Sequence, residues 1–258
     1  MAATAGHWSG AARAAATASI PTGGPLVVGI PLYEGFDSLD VLGPYQVFTL
    51  LGTGFVKPCL VAETSAPVTS FEGVRIVPDY SFDDCPRLDV PYVPGGPGVD
   101  ALFAETNIDD NPFLSFLRGQ IDGATLVCSV CTGALLLAAV GGLDGLSATT
   151  HWAYKTALGV FPQVTVADGF PRFVIDGSRV TGGGISSGID QGLAIAALIA
   201  GPEQAAGVQL AMQYAPDPPF DDGDPSTASP RVLHDVSSRW AGGVAATRQA
   251  IEAFVAAQ

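Results

Sequence analysis

A predicted strand that runs directly into a predicted helix, with a cysteine at the junction, constrains this chain more than any other feature. Thr125–Val130 is apolar enough to predict a buried strand, and Ala134–Val140 predicts a helix. Cys131 is the first residue after the strand, and the small residues Ser129 and Gly133 lie on either side of it. Small neighbours allow the backbone to reverse sharply and leave a nucleophile at the carboxyl edge of a sheet. The segment therefore predicts a nucleophile elbow.

The rest of the chain alternates strand-like runs with helix-like segments. The other predicted strands are Leu26–Leu32, Phe55–Ala62, Val74–Val77, Leu88–Val93 and Val164–Ala167, and a hairpin is predicted over Arg172–Thr181. The other predicted helices are Asp37–Leu51, Asn111–Gln120, Ile185–Ala200 and Val232–Ala256. Ser187 and Asp190 are spaced as a capping box. This alternation predicts an α/β sandwich around a mostly parallel sheet.

One domain behind a short leader is the predicted organisation. Residues 1–25 are rich in Ala, Gly, Ser and Thr and contain no continuous apolar block. We therefore expect a disordered leader rather than a secretory signal, with a transit peptide as the alternative. Residues 26–258 are predicted to form a single α/β domain, because the segment after the Pro- and Asp-rich stretch 215–230 is too short for a second one. We expect that stretch to be irregular and the segment after it to be a C-terminal helix.

Charge and composition exclude several kinds of partner. The chain has 11 Lys and Arg residues against 25 Asp and Glu, which gives a net charge of -14. A surface this negative repels phosphate backbones and anionic lipid headgroups, so we expect neither a nucleic-acid nor a membrane partner. No apolar run reaches the roughly 18 residues of a membrane span. Four cysteines without a secretory signal predict reduced thiols in a cytoplasmic protein.

Cys131 is the candidate nucleophile. The helix after it would aim its free N–H groups at the sulfur, and these groups with the helix dipole are expected to lower the thiol pKa and favour the thiolate. The residues alone leave a buried structural cysteine as the alternative, since free cysteine often behaves as a small hydrophobe. Cys128 lies within the predicted strand and is expected to belong to the core.

Asp40 is the candidate acid or base. It follows the first predicted strand, and the loop after that strand opens on the same edge of the sheet as the elbow. A carboxyl group beside an apolar pocket tends toward a raised pKa, which suits a proton shuttle. Helix capping is the alternative, and Asp37 would serve it equally well.

Five motifs, in this order and spacing, resemble the ThiJ/PfpI superfamily. They are Leu39–Pro44, Val93–Gly96, Ser129–Gly133, Ala148–Trp152 and Thr181–Gly184. Within the superfamily the chain is most similar to the isocyanide hydratases, and Tyr214–Phe220 also resembles that subgroup. The resemblance implies a flavodoxin-like three-layer sandwich, a homodimer, and hydration of isocyanides (isonitriles) by water to N-substituted formamides. It implies a covalent thioimidate intermediate and no metal or organic cofactor.

The resemblance also implies roles for individual residues. Cys131 would be the nucleophile, Asp40 the acid and base, and Thr132 a hydrogen-bonding neighbour of the cysteine. The residues assigned to substrate binding or the pocket wall are Gly95, Gly96, His151, Trp152 and Gly183. A catalytic base is the alternative for His151, and packing is the alternative for Trp152. Pro97 departs from the hydratase pattern, where Thr is expected, so a side-chain contact from that position is in doubt.

Two other functions fit parts of the same pattern. A glyoxalase or deglycase would share the cysteine elbow, but many of those enzymes carry Glu where this chain has Asp40. The sensor domain of an AraC-type regulator would share the CTGxxLLA and TTHW motifs, and a stand-alone ligand sensor or a redox chaperone is the related option. Such regulators normally continue into a DNA-binding region, for which this chain is too short and too acidic. The histidines His7, His151 and His234 are too scattered to predict a zinc site.

Overall fold

The central feature of the fold is a seven-stranded sheet. The computed structural model describes Ile20 and residues 23–258. The strands are β1 Leu26–Pro31, β2 Val56–Ala62, β3 Val68–Thr69, β4 Arg75–Ile76, β5 Tyr80–Ser81, β6 Val90–Val93, β7 Val127–Ser129, β8 Ser147–Ala148, β9 Thr165–Val166, β10 Phe173–Asp176 and β11 Arg179–Gly182. The large sheet has the order β10-β11-β7-β6-β1-β2-β5, and β3–β4 and β8–β9 form two small sheets.

All neighbours in the large sheet are parallel except the edge hairpin β10–β11. The chain passes from β1 to β2 on one side and returns through β6 to β7 and β11 on the other. The order of the strands therefore reverses between β1 and β6. Loops at the carboxyl ends of parallel strands separate at such a switch point and leave a crevice. The segments that follow β1, β6 and β7 meet there.

Helices cover both faces of this sheet. They are α1 Ser38–Leu51, α2 Val99–Leu102, α3 Pro112–Ile121, α4 Gly133–Ala139, α5 Lys155–Leu158, α6 Ser187–Ala200, α7 Pro202–Ala211 and α8 Pro230–Ala257. Short 3-10 turns lie at Ile108–Asp110 and Trp152–Tyr154. Helices α1, α6 and α7 pack together on one side, while α3, α4, α5 and α8 contact one another and the strands near β7 on the other. None of the helices in the described residues is long and apolar enough to cross a membrane.

The predicted α/β sandwich with a mostly parallel sheet is confirmed, as are the strands that carry the elbow. The hairpin turns at Gly177, and Asp37 caps α1 by accepting a hydrogen bond from the Leu39 N–H at 3.1 Å. Helix α7 was not predicted, because its sequence has too weak a hydrophobic periodicity to identify a helix. The leader predicted over residues 1–25 lies mostly outside the described residues; within it, the Ile20 N–H donates to the Leu198 carbonyl at 2.8 Å.

The capping box predicted for α6 is wrong. The cap residue is Ser186, whose side chain makes no capping hydrogen bond. Ser187 is instead fully buried inside the first turn, and its hydroxyl has no hydrogen-bond partner among the described residues. Asp190 points outward and pairs with Arg172. Burial of the first turn against the sheet, which the local spacing does not reveal, decides these positions.

Gln191 joins three strands to α6 inside the core. Its side chain is fully buried. Its Nε2 donates to the carbonyls of Ser129 at 2.9 Å and Val180 at 2.6 Å, and its Oε1 accepts from the Tyr92 hydroxyl at 2.7 Å. Ser129 lies two residues before Cys131. The glutamine therefore positions the ends of β6, β7 and β11, where the elbow begins.

Replacing Gln191 with leucine should destabilise the protein strongly. The substitution leaves the Tyr92 hydroxyl and the Nε2-bonded carbonyls without this partner in a buried site, which costs about 3 kcal/mol in the free energy of unfolding. Urea unfolding of wild type and Gln191→Leu would measure this difference. Gln204→Leu, at an exposed position of α7, is the matched control and should change the free energy by about 0.5 kcal/mol or less. Equal losses in the two variants would contradict the role of the buried amide.

Candidate active site

Cys131 occupies a strained turn between β7 and α4. Its φ is +55°, in the left-handed region that residues other than glycine rarely adopt, at a cost of about 1–3 kcal/mol. Two hydrogen bonds hold this conformation: the Cys131 N–H donates to the Gly183 carbonyl at 2.8 Å, and the Thr150 hydroxyl donates to the Cys131 carbonyl at 2.7 Å. Strain maintained by surrounding contacts is typical of a functional position.

Two glycines allow the loop after β6 to approach this turn closely. A Cβ atom on Gly133 would overlap the carbonyl oxygen of Val93. A Cβ atom on Gly95 would lie 2.5 Å from the Thr132 nitrogen and 2.8 Å from the Cys131 Cβ, closer than real Cβ contacts allow. Only glycine therefore fits at either position. The close approach brings backbone N–H groups of the β6 loop into the site.

Asp40 is buried beside Cys131. Its carboxyl group has no exposed surface, and its Oδ2 accepts a hydrogen bond from the Gly95 N–H at 2.8 Å. Its other oxygen, Oδ1, accepts no hydrogen bond of normal geometry among the described residues. The same carboxyl group interacts with the thiol of Cys131. The contact joins the first turn of α1, which follows β1, to the elbow, which follows β7.

Burial dominates the proton affinity of both groups. It raises the pKa of the Asp40 carboxyl well above its usual range, and the nearby Asp37 carboxylate adds to the rise. It likewise raises the pKa of the Cys131 thiol, and the Asp40 charge raises it further. The N–H groups of Thr132 and Ile185 act in the opposite direction but with a smaller effect. The expectation of a lowered thiol pKa is therefore wrong, because loss of solvation outweighs the helix N-terminus.

The two groups titrate as a coupled pair. Two negative charges in contact in a buried site repel each other, so the pair releases its first proton much more readily than its second. With one proton left, the pair exists either as thiol and carboxylate or as thiolate and carboxylic acid. The second form holds a nucleophile and a proton donor side by side.

Thr132 and Gly96 bind each other rather than an open surface. The Gly96 N–H donates to the Thr132 Oγ1 at 2.9 Å, and the Thr132 hydroxyl lies 3.3 Å from the Gly96 carbonyl. Gly96 has a φ of +140°, and a Cβ atom there would overlap the Gly35 carbonyl oxygen and the Asp37 nitrogen. Gly95 and Gly96 thus position the acid and the elbow; neither lines the cleft described below.

Three neighbours of the site were not identified from the sequence. The Tyr33 hydroxyl donates to the Pro94 carbonyl at 3.1 Å, and its ring lies close enough to Asp40 and Cys131 for their charges to raise its pKa. The Thr150 hydroxyl binds the main-chain carbonyl of Cys131. The Ile185 N–H binds the thiol of Cys131. Tyr33 follows β1 at the same edge as Asp40, and this position is the one signal that could have indicated it.

A cleft of about 880 Å³ opens beside the elbow. Its lining includes Thr150, Gly183 and Ile185, each of which also contacts Cys131. Cys131 and Asp40 are not among the lining residues and lie one layer beneath them, with Cys131 exposed by only 6%. The cleft therefore leads to the cysteine but does not expose it broadly.

His151 and Trp152 belong to an aromatic cluster in the wall of the cleft. The ring of His151 lies 4.9 Å from that of Trp240 on α8 and 5.6 Å from that of Trp152, centroid to centroid. The His151 Nδ1 accepts the Ala153 N–H at 3.3 Å, and burial lowers the pKa of His151 to about 4. The imidazole is therefore neutral at pH 7 and acts as wall. No group of three or more His, Cys, Asp or Glu residues in the described structure is arranged to hold a metal ion.

The sheet, the strained cysteine and the buried carboxyl together define an α/β protein built around a nucleophile elbow. Residues 27–198 match the DJ-1/PfpI family, and the chain belongs to that family. This match confirms the resemblance drawn from the five motifs.

Several known proteins are similar to this chain over most of its length. It is 44% identical over 214 residues to the isonitrile hydratase of Pseudomonas putida, which is 83% of this chain and 90% of that protein. The crystal structure of a ThiJ/PfpI family protein from Pseudomonas syringae superposes with a TM-score of 0.81 at 33% identity, covering 88% of this chain and 91% of that one. Drosophila melanogaster DJ-1beta shares the fold, with a TM-score of 0.63 at 24% identity over 74% of this chain and 100% of that one.

Asp40→Asn should move the pH profile of Cys131 alkylation to lower pH. The Asp40 charge raises the pKa of the thiol, so its removal allows the thiolate to form at lower pH. The measurement is the rate of iodoacetamide labelling against pH, with the labelled cysteine located by peptide mapping. Glu203→Gln, at an exposed position of α7, is the control and should leave the profile unchanged. A profile displaced to higher pH in Asp40→Asn would show that the carboxyl favours the thiolate.

Proposed function

We propose that this protein is an isocyanide (isonitrile) hydratase, a carbon–oxygen lyase that adds water to isocyanides and releases N-substituted formamides. The observation that carries the proposal is the buried contact between the Asp40 carboxyl and the Cys131 thiol. The 44% identity to the isonitrile hydratase of Pseudomonas putida, over 90% of that protein, supports it. The substrate would be a small apolar isocyanide, with water as the second reactant.

The first step would use the pair in its thiolate and carboxylic acid form. The terminal carbon of an isocyanide accepts nucleophiles slowly, so addition needs a strong nucleophile and a proton supplied to the same carbon. The Cys131 sulfur forms a bond to that carbon while Asp40 transfers its proton to it. The product is a thioimidate, R–N=CH–S–Cys131, and Asp40 is left as the carboxylate. Covalent catalysis divides one difficult addition into two easier steps.

The second step would use the carboxylate as a base. Asp40 takes a proton from water as the oxygen adds to the thioimidate carbon. The carbon–sulfur bond then breaks, and R–N=CH–OH tautomerises to the formamide. The sulfur leaves as the thiolate and Asp40 keeps the proton it took from water, which replaces the proton it gave to the substrate carbon, so the pair regains its starting form. The fixed contact allows one carboxyl group to serve both steps.

The surroundings of the pair fit this chemistry. The Gly95 N–H holds one carboxyl oxygen at 2.8 Å and leaves Oδ1 available for proton transfer. Gly183 and Ile185 line the cleft and contact Cys131, so they would form the path by which the substrate reaches the sulfur. A largely buried site also keeps bulk water from solvating the thiolate, which would make it a weaker nucleophile. Thr132 would keep the elbow in position through its bonds to Gly96.

The quaternary structure and location are part of the same proposal. The family resemblance implies a homodimer. Exposed apolar side chains, including Leu42 on α1 and Phe71, are compatible with contact to a second copy. The cytoplasmic location expected from the reduced cysteines stays a prediction.

Cys131→Ala should abolish isocyanide hydration and keep the fold, because the proposed reaction begins with bond formation at that sulfur. Cys131→Ser should be nearly as inactive, since a serine hydroxyl without an adjacent strong base is far less ionised. Formamide release from cyclohexyl isocyanide, followed by mass spectrometry, is the measurement. Cys85→Ser, at a partly exposed cysteine outside the site, is the matched control and should retain activity. Substantial turnover by Cys131→Ala would overturn the proposal.

Asp40→Asn should lower the hydration rate by about 10²-fold or more while Cys131 remains alkylatable. Asparagine keeps the shape of the side chain but cannot exchange the proton, and general acid–base catalysis typically contributes 10²–10⁴-fold. Asp40→Glu should also impair hydration, because one added methylene displaces the carboxyl by roughly 1 Å. Each variant and the wild type would be assayed on an isocyanide and on methylglyoxal. Wild-type preference for methylglyoxal would replace the hydratase with a glyoxalase.

A further inference from the structure

One wall of the cleft comes from residues outside the family match. The cleft lining includes Tyr214, Pro216, Asp217, Pro218, Gly223, Asp224 and Pro225, all beyond residue 198, where the match to the DJ-1/PfpI family ends. This segment, residues 214–225, contains no helix or strand and connects α7 to α8. We call it the C-terminal wall. The opposite side of the cleft is formed by residues within the family match.

One side-chain hydrogen bond in the described structure connects the C-terminal wall to the part of the domain that precedes α7. Within the described structure, its other hydrogen bonds are made to itself, to Gln213, to Gln209 on α7 or to residues 226–229 before α8. The exception is the Tyr214 hydroxyl, which donates to the Asp190 Oδ1 at 2.8 Å. This bond joins the start of the wall to α6.

The acceptor of that bond is itself held in place. The Arg172 Nε donates to the Asp190 Oδ2 at 2.7 Å and its Nη2 lies 2.6 Å from the same oxygen, while its Nη1 donates to the Ser186 Oγ at 2.9 Å. Tyr214, Asp190 and Arg172 all line the cleft. Burial and the hydrogen bond to Asp190 raise the pKa of Tyr214 to about 12, so the hydroxyl remains a donor at neutral pH.

The chemistry of the cleft restricts what it can hold. The lining of the cleft includes apolar side chains such as Leu39, Phe170 and Ile189 as well as the prolines of the C-terminal wall. The two cationic side chains of the lining are engaged: Arg172 by Asp190, and Lys155 by the Ala167 carbonyl at 2.6 Å. In the described residues neither Asp217 nor Asp224 forms an ion pair. The many apolar side chains of this lining fit an apolar group, and the unpaired carboxylates of Asp217 and Asp224 disfavour a carboxylate.

The size of the cleft points in the same direction. Its volume of about 880 Å³ lies near the upper end of the roughly 300–1,000 Å³ typical of sites for drug-sized ligands. A small alkyl substituent would touch one side of such a space. A bulky substituent would contact both the C-terminal wall and the side of the cleft that carries His151 and Trp152. Its binding affinity would be higher with the wall already held in place, because less ordering is then needed on binding.

We propose that the C-terminal wall, latched by Tyr214 to the Asp190–Arg172 ion pair, determines substrate specificity and selects isocyanides with a bulky, uncharged substituent. The inference rests on the proposed hydratase function. Tyr214 acts through the position of the wall and not on the reacting atoms. Residues 27–198 then supply the reacting groups, and the segment beyond them supplies the choice of substrate.

The test compares a bulky and a small substrate in the same variants. Wild type should show a higher kcat/KM for 2-naphthyl isocyanide than for ethyl isocyanide. Tyr214→Phe should lower the ratio of these two values about tenfold, since a hydrogen bond to a charged group is worth roughly that factor. The loss should lie mainly in KM for the naphthyl compound. Tyr80→Phe, at an exposed tyrosine of β5 outside the cleft, is the matched control and should keep the wild-type ratio.

A second measurement is independent of hydration. Cys131 would be alkylated with iodoacetamide and with its N-naphthyl derivative, and the ratio of the two rates compared between wild type and Tyr214→Phe. The latch predicts that the variant loses preference for the naphthyl reagent. If wild type hydrates no isocyanide, the proposed function fails, and this alkylation ratio still decides the role of the wall. An unchanged ratio, or hydration in which both substrates change equally, would overturn the inference.

Discussion

The burial of Asp40 against Cys131 is the interaction on which the rest of the site depends. Both groups are harder to ionise here than in water, because neither is solvated and each charge repels the other. The Gly95 N–H is the single conventional hydrogen bond to that carboxyl among the described residues. The fold brings the two groups together, because Asp40 lies on the first turn of α1 and Cys131 lies at the elbow after β7.

The fold imposes this contact by close backbone approach. The carboxyl ends of β1, β6 and β7 meet where the strand order reverses, and glycines at 95 and 133 let the main chains come nearer than any side chain would allow. The left-handed conformation of Cys131 is a cost of this arrangement. Gln191 helps to offset it by bonding three strands beneath the elbow. The hydrogen bonds of Gln191 beneath the elbow thus help to maintain the strained backbone of Cys131.

The residues that line the cleft come from two parts of the chain. The inner end of the cleft, at Gly183 and Ile185, belongs to the region that matches the DJ-1/PfpI family. Its outer wall and the Trp240 ring behind His151 come from the segments after residue 198. An elbow common to a family can in this way serve different substrates, because loops beside a rigid scaffold can vary without disturbing the reacting groups.

The amino-acid sequence by itself determined the class of fold, the elbow at Cys131 and the position of Asp40 after the first strand. These features follow from local patterns: apolar strands, small residues at a tight turn, and motifs in a specific order. The thiol pKa, the partners of Ser187 and Asp190, and the residues Tyr33, Thr150 and Ile185 were decided only by the tertiary structure. Each depends on what distant segments bring to the site, namely loss of water around a charge and hydrogen bonds between residues far apart in the chain. Local spacing carries no record of either.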